Sequence, residues 1–372
     1  MKKTLTAVLA VAATVAVAAA PAQAASAQAS APADRKAAVQ RDMDALTKLS
    51  GAGAIVRVFQ DGRTWTARSG TAVYGRKVPM PTNGYFRIAS VTKLVVATTA
   101  LRLVGEGKID LDGTVEGYLP GALKDGDKIT VRMLLQHTSG LNDDAGNEKY
   151  LVGDDALKYR YSHVETKELV RLGDEAPRRF APGAKHSYSN TNYYLLGMLI
   201  EAVSGKPWGE QAARSLGLRD TWYPGDKVSL PNPHARGYLW TDGKPLDITR
   251  LNTTSLGAAG GLVSTTADLD RFLGRLMSGK LLKPAQLSEM LKVMPAPPGE
   301  EADGDPGLGV FRYSTTCGKK IYGHSGGVSG YASFVASTRD GRERLVLNLT
   351  QASPKFNDPG QLFKIVSSAF CG

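Results

Sequence analysis

Strand-like alternation marks both ends of this chain, and helical periodicity fills the stretch between them. Ala54-Ile55-Val56-Arg57-Val58-Phe59 and Thr64-Trp65-Thr66-Ala67 flank Asp61-Gly62, which is the pattern of a tight hairpin. Near the other end, Val310 to Tyr313, Lys320 to His324, Tyr331 to Ser337 and Arg344 to Leu349 read as further strands, with Asp340-Gly341 as a second tight turn. Lys93 to Glu106, Val131 to Gln136, Thr166 to Leu172, Thr191 to Val203, Thr266 to Ser278 and Pro284 to Val293 have helical spacing, separated by long Gly/Pro/Asp loops. An amphipathic helix from Asp34 to Leu49 precedes the first strand, and a last helix runs from about Pro359 to Phe370. Such an order suggests one sheet assembled from both termini, with a helical insertion between its halves. With 42% hydrophobic and 22% charged residues, the 372-residue chain can bury a sizeable core.

The first residues read as a targeting segment rather than as part of the fold. Lys2 and Lys3 precede an uncharged apolar run from Leu5 to Ala20, and Ala22-Gln23-Ala24 has the small-x-small pattern of a cleavage site. Residues 1–24 are therefore expected to be a signal peptide and 25–33 a disordered leader. No later stretch is long and apolar enough to span a bilayer, so an exported, secreted protein with no stable membrane span is expected. Export makes a disulfide durable, and Cys317 and Cys371 are the only pair available. No Cys-x-x-Cys motif or Cys/His cluster suggests a metal. The net charge of +11, reduced by two to +9 once Lys2 and Lys3 leave, is dispersed. Without a basic–aromatic stripe it reads as solubility or weak attraction to anionic wall polymers, and nucleic acid is not an expected partner.

Ser90-Val91-Thr92-Lys93 carries the first sign of chemistry. Residues at i and i+3 share a helical face, so a serine at the start of a helix can meet a lysine one turn on. Serine becomes a nucleophile when a base takes its proton, and a desolvated lysine can do so. The helix start also offers free N–H groups to a developing oxyanion. Alone the motif is close to a chance match. Tyr188-Ser189-Asn190 places a phenol and an amide before a predicted helix, where they can relay a proton and hold a carbonyl, or merely pack and cap. His324-Ser325-Gly326-Gly327 sits at the end of a predicted strand. An edge strand there can offer the Gly327 N–H to an oxyanion; equally, His324 can be an ordinary half-buried strand residue. A Ser-His-Asp triad would want Ser90 inside a Gly-x-Ser-x-Gly elbow, which is missing.

Taken together, Ser-x-x-Lys, Tyr-x-Asn and His-Ser-Gly in this order resemble the signature of the penicillin-recognising serine hydrolases. Phe86-Arg87-Ile88-Ala89, Leu134-Leu135-Gln136-His137-Thr138-Ser139-Gly140-Leu141 and Gly260-Gly261-Leu262-Val263-Ser264-Thr265 are similar to the class C β-lactamase branch. Histidine in the third motif resembles the secreted actinobacterial D-alanyl-D-alanine carboxypeptidases. The resemblance runs from about residue 35 to the C-terminus and includes the Cys317/Cys371 pair. It implies an α+β fold: an antiparallel sheet flanked by N- and C-terminal helices, with an inserted mostly helical domain. On that basis residues 34–98 and 256–372 form a discontinuous α/β domain and 99–255 the insertion. It implies Ser90 as nucleophile, Lys93 as base and Tyr188 as proton carrier. The N–H groups of Ser90 and Gly327 would form the oxyanion hole, Asn190 would orient the acyl side, and His324, Ser325 and Gly326 would bound the leaving-group side. His137 looks structural. No cofactor is implied.

The implied activity is that of a DD-peptidase-type hydrolase acting on D-Ala-D-Ala ends of peptidoglycan-type peptides, with β-lactams as inhibitors or substrates; a monomer is the default expectation, since no oligomerisation element is evident in the sequence. The sequence departs from those carboxypeptidases where they carry a carboxylate-gripping arginine. Phe311 stands there, and Arg312, one residue on, faces the other side of a strand. Smaller residues also occupy Gly327 and Ser329. The departure admits a D-aminopeptidase, D-stereospecific peptidase, esterase or class C-like β-lactamase with the same machinery. A non-catalytic penicillin-binding sensor is a further alternative, told apart by turnover.

Overall fold

The computed structural model describes residues 32–50, 53–143, 157–241, 243–297, 304–350 and 359–371. The expected signal peptide and residues 25–31 of the leader lie outside the described residues. Pro32 and Ala33, expected in the disordered leader, are helical: helix α1 spans Pro32–Ser50. Proline suits that first position because its missing N–H has no intrahelical partner to lose.

Hairpin β1 (Gly53–Gln60) and β2 (Arg63–Gly70) follows, then β3 (Tyr85–Arg87) and helix α2 (Val91–Gly105). The helical region contains α3 (Val115–Tyr118), α4 (Val131–Leu135), α5 (Thr166–Glu175), α6 (Asn190–Ser204) and α7 (Trp208–Leu216). A small hairpin, β4 (Tyr238–Thr241) and β5 (Lys244–Asp247), leads to α8 (Gly257–Gly260), β6 (Val263–Thr265), α9 (Thr266–Met277) and α10 (Pro284–Leu291). The chain closes with β7 (Asp305–Pro306), β8 (Phe311–Ser314), β9 (Lys320–Val328), β10 (Tyr331–Thr338), β11 (Arg344–Thr350) and α11 (Pro359–Cys371).

Seven strands form one sheet in the order β2-β1-β11-β10-β9-β8-β7, all pairs antiparallel. Strands from both ends of the sequence meet where β1 pairs with β11, Val56 opposite Leu347. Leu345, Leu347 and Leu349 point to one face with Val56 and Val58, packing on Val39, Met43 and Leu46 of α1 and on Ile365 and Phe370 of α11. The period of two sends Val346 to the opposite face, into the larger core with Leu269, Phe272 and Leu276 of α9. That core continues into the helical region, where α2 is buried around nearly its whole circumference from Val91 to Leu103. A helix so apolar on every side belongs at the centre of a fold, and its N-terminus carries Ser90. Cys317 and Cys371 are bonded, with Cα atoms 5.8 Å apart, tying the end of α11 to the turn between β8 and β9.

Six features were absent from the sequence reading: the three-residue pair β3–β6, the hairpin β4–β5, helices α3, α7 and α8, and strand β7. Strand β9 also runs past His324 to Val328. It is interior to the sheet rather than an edge, because β8 lies beside it. That pairing stops where Phe311 meets Gly323, so the stretch from His324 onward has β10 on one side and no strand partner on the other. The edge expected from sequence exists for that half only.

Candidate active site

Ser90 caps α2 without using its side chain to do so. A serine at this position ordinarily accepts a hydrogen bond from the first helical turn; here Oγ is left for other work. Ala89, immediately before it, adopts φ +47° and is buried. A Cβ-bearing residue is strained in that region. Its neighbours enforce it: Ile88 N–H donates to Leu262 O (3.1 Å), Thr92 N–H to Ala89 O (2.9 Å), and Phe86 pairs with Ser264. No hydrogen bond engages the Ser90 N–H among the described residues.

Lys93 is fully buried, and its amine reaches Asn190 Oδ1 (2.6 Å), Ala259 O (2.7 Å) and Ser90 Oγ (3.4 Å). The Tyr188 and Tyr193 rings lie 4.8 and 5.4 Å from Nζ. Burial pushes the amine down to about 7, with the Asp143 carboxylate partly opposing the fall. A large fraction is therefore neutral at pH 7 and able to accept a proton.

Asn190 is the first residue of α6, and Asp143 takes its backbone N–H at 2.5 Å. Tyr188 stacks on His137 with centroids 4.4 Å apart. His137 sits at φ +58°, and its Nδ1 accepts from Ser189 N–H (3.1 Å) and lies 3.2 Å from Asn192 Nδ2. The Asn192 oxygen is occupied by Ser139 Oγ, so its amide donates to the imidazole and the proton of His137 resides on Nε2. Burial, with the charge of Lys93, holds His137 neutral, far below its ordinary range. It supports the Tyr188–Asn190 turn from behind.

His324, Ser325, Gly326 and Gly327 line a cleft of about 350 Å³ together with Ser90, Tyr188, His186, Phe311 and Tyr313. His324 Nδ1 lies 2.5 Å from Ser325 O, so that nitrogen donates and Nε2 is left as an acceptor. Burial, reinforced by Lys93, drives its pKa to about 3, so the ring is neutral at physiological pH. Gly326 must be glycine for space: a Cβ there would lie 2.5 Å from Ile88 O, 2.6 Å from Ser333 Oγ and 3.1 Å from Ser90 N. Gly327 faces open space.

The register at β8 follows the sequence expectation. Phe311 and Tyr313 line the cleft while Arg312 turns away to an ion pair with Asp305 at 2.6 Å. No lysine or arginine lines the cleft among the described residues. The structure thus gathers Ser90, Lys93, Tyr188, Asn190 and the 324–327 strand at one place. It adds Ala259, Asp143, His186 and Tyr313, which sequence reading missed. Tyr313 was foreseeable from Phe311 by the strand period; Asp143 and His186 sit in no recognisable motif.

A model of one family, Beta-lactamase, matches residues 35–365 of this chain. The chain belongs to the Beta-lactamase family. As a member it is a serine hydrolase with penicillin-binding protein and carboxypeptidase relatives. It is 32% identical over 251 residues to "Penicillin-binding protein 4" of Amycolatopsis lactamdurans; the match covers 63% of this chain and 61% of that protein. Among solved structures, a D-stereospecific amidohydrolase from a Streptomyces species superposes with a TM-score of 0.82 at 34% identity, covering 90% of this chain and 98% of that one. A D-amino acid amidase from Ochrobactrum anthropi SV3 superposes with a TM-score of 0.79 at 27% identity, with the same two coverages. Across the described residues of this Beta-lactamase family member, no helix is long and apolar enough to cross a membrane.

Proposed function

We propose that this chain hydrolyses amide bonds of D-amino-acid amides and D-amino-acid-containing peptides through an acyl-enzyme at Ser90. Lys93, as the neutral amine, takes the Ser90 proton; Oγ bonds to the substrate carbonyl carbon, and the N–H groups of Ser90 and Gly327 hold the oxyanion. Tyr188 delivers a proton to the departing nitrogen as the C–N bond breaks and is reprotonated by the one Lys93 took from Ser90, which leaves the amine neutral again. Water, deprotonated by the same groups, then releases the acid and restores Ser90. Asn190 orients the acyl portion, and His324, Ser325 and Gly326 bound the leaving group.

One observation carries the choice of substrate: the leaving-group end of the cleft is Phe311, Tyr313 and a neutral His324, with Arg312 engaged elsewhere. A terminal carboxylate would enter that end without the cation that normally offsets its desolvation. A neutral amide pays no such cost. The two amidases with near-complete structural coverage support the D-configured acyl side. The DD-carboxypeptidase reading keeps the support of the penicillin-binding relative, over part of its length. The N-terminal targeting pattern supports an activity outside the cytosol, where D-amino-acid peptides of the cell wall occur.

The test is a parallel assay of the mature protein with a D-amino-acid amide, its L-enantiomer, a D-Ala-D-Ala-ended peptide and nitrocefin. Preferential turnover of the D-amide is expected. Efficient cleavage of the D-Ala-D-Ala peptide with the D-amide untouched would replace this reading by the carboxypeptidase one.

A further inference from the structure

Asp143 belongs to none of the three motifs, yet it touches the residue that touches Lys93. Its segment is clamped onto the start of α6: Asn142 O accepts from Thr191 Oγ1 (2.9 Å) and Ser189 Oγ (3.3 Å). Asp143 Oδ1 then accepts the Asn190 backbone N–H at 2.5 Å, and Oδ2 lies 3.4 Å from Asn190 Nδ2. An amide whose nitrogen faces a carboxylate must present its oxygen on the other side. That oxygen is the one 2.6 Å from Lys93 Nζ.

We propose that Asp143 is a positioning residue for the acylation base: it fixes the Asn190 amide with its oxygen on the Lys93 amine and is the carboxylate that opposes the effect of burial on that amine. The inference rests on the reading of Lys93 as base. The groups facing Lys93 are Ser90 at the head of α2, Tyr188, Asn190 and Tyr193 at the start of α6, the Ala259 carbonyl of α8, His137, and His324 on β9. Both histidines are kept neutral by burial, and burial holds the Tyr193 phenol protonated. Asp143 remains as the carboxylate opposing desolvation of the amine. Its removal therefore lowers the Lys93 pKa further and makes the base available at lower pH. A carboxylate that only finished a helix end would alter stability and leave the pH profile in place.

The experiment is the pH dependence of the acylation rate with a fluorescent penicillin for wild type, Asp143→Asn, Asp143→Glu and Asp143→Ala, each checked by thermal unfolding. The acid limb of Asp143→Asn is expected to move down by about half a pH unit or more. Asp143→Glu should keep a midpoint close to wild type. Asp143→Ala should show the lower midpoint together with a plateau reduced about tenfold, because Asn190 is no longer fixed. Should the alanine variant not fold, the near-isosteric asparagine variant carries the comparison. Identical midpoints in wild type and Asp143→Asn would overturn the proposal, as would an effect confined to half-saturation. A wild type that is not acylated at Ser90 at any pH would overturn the function proposed above, and the inference with it.

Discussion

Asn190 Oδ1 lies 2.6 Å from Lys93 Nζ, nearer than Ser90 Oγ at 3.4 Å. A neutral amine has two N–H groups and one lone pair. With one N–H on Asn190 Oδ1 and the other on Ala259 O at 2.7 Å, the lone pair is the part left for the Ser90 hydroxyl. Neither acceptor carries a charge, so neither holds the amine protonated as a carboxylate would. Burial and hydrogen bonding thus combine to present a proton acceptor to Ser90.

The pH dependence follows in sign and position. Below about 7 the Lys93 amine is protonated and cannot accept; above it the neutral form dominates. Acylation rate at constant β-lactam should rise with pH through a midpoint near 7 and level off. Lys93→Ala should remove the limb and slow acylation by about 10²–10⁴-fold. A stopped-flow pH series on both proteins checks this.

Gly326 and Gly327 are adjacent in sequence but predict opposite outcomes. Gly326→Ala forces a methyl against Ile88 O and towards Ser90 N, so the nucleophile segment must shift. The expected cost is about 1–3 kcal/mol in thermal unfolding, with acylation impaired. Gly327→Ala meets nothing within 4 Å and should unfold at nearly the wild-type temperature. Calorimetry on the two variants separates them.

This contrast bears on what a sequence can disclose. Ser90, Lys93, Tyr188, Asn190 and the His324–Gly327 stretch could be marked because each lies within a short run of residues, and the order of the runs resembles the signature of the penicillin-recognising serine hydrolases. The register at Phe311 was also readable, since a period of two leaves Arg312 only one direction. Asp143 was not readable, because its meaning comes from Asn190, 47 residues later. Helix α7 was masked by Pro207 and Gly209, although Trp208, Ala212 and Leu216 make a buried stripe at helical spacing. Pair β3–β6 is three residues long and exists only because the Ser90 segment is braced against Leu262 and Ser264. Local periodicity carries no trace of such a long-range contact.

Phe311 sets the specificity prediction. Phe311→Arg puts a cation at the uncharged end of the cleft, beside neutral His324 and with no carboxylate lining that cleft among the described residues. The ratio of kcat/KM for a D-Ala-D-Ala-ended peptide over a D-amino-acid amide should rise by about tenfold, roughly one charge-assisted hydrogen bond. Competition between the two substrates in one reaction reads the ratio directly.

All of the proposed chemistry passes through one covalent bond, that between Ser90 Oγ and the acyl group. Wild-type protein and Ser90→Ala are mixed with a D-amino-acid ester or fluorescent penicillin, quenched in acid within a turnover, and analysed by intact mass and peptide mapping. One acyl group per wild-type chain, located on Ser90 and missing from Ser90→Ala, is the predicted result. Turnover with the acyl group on another residue, or a Ser90→Ala protein acylated as fast as wild type, would contradict it.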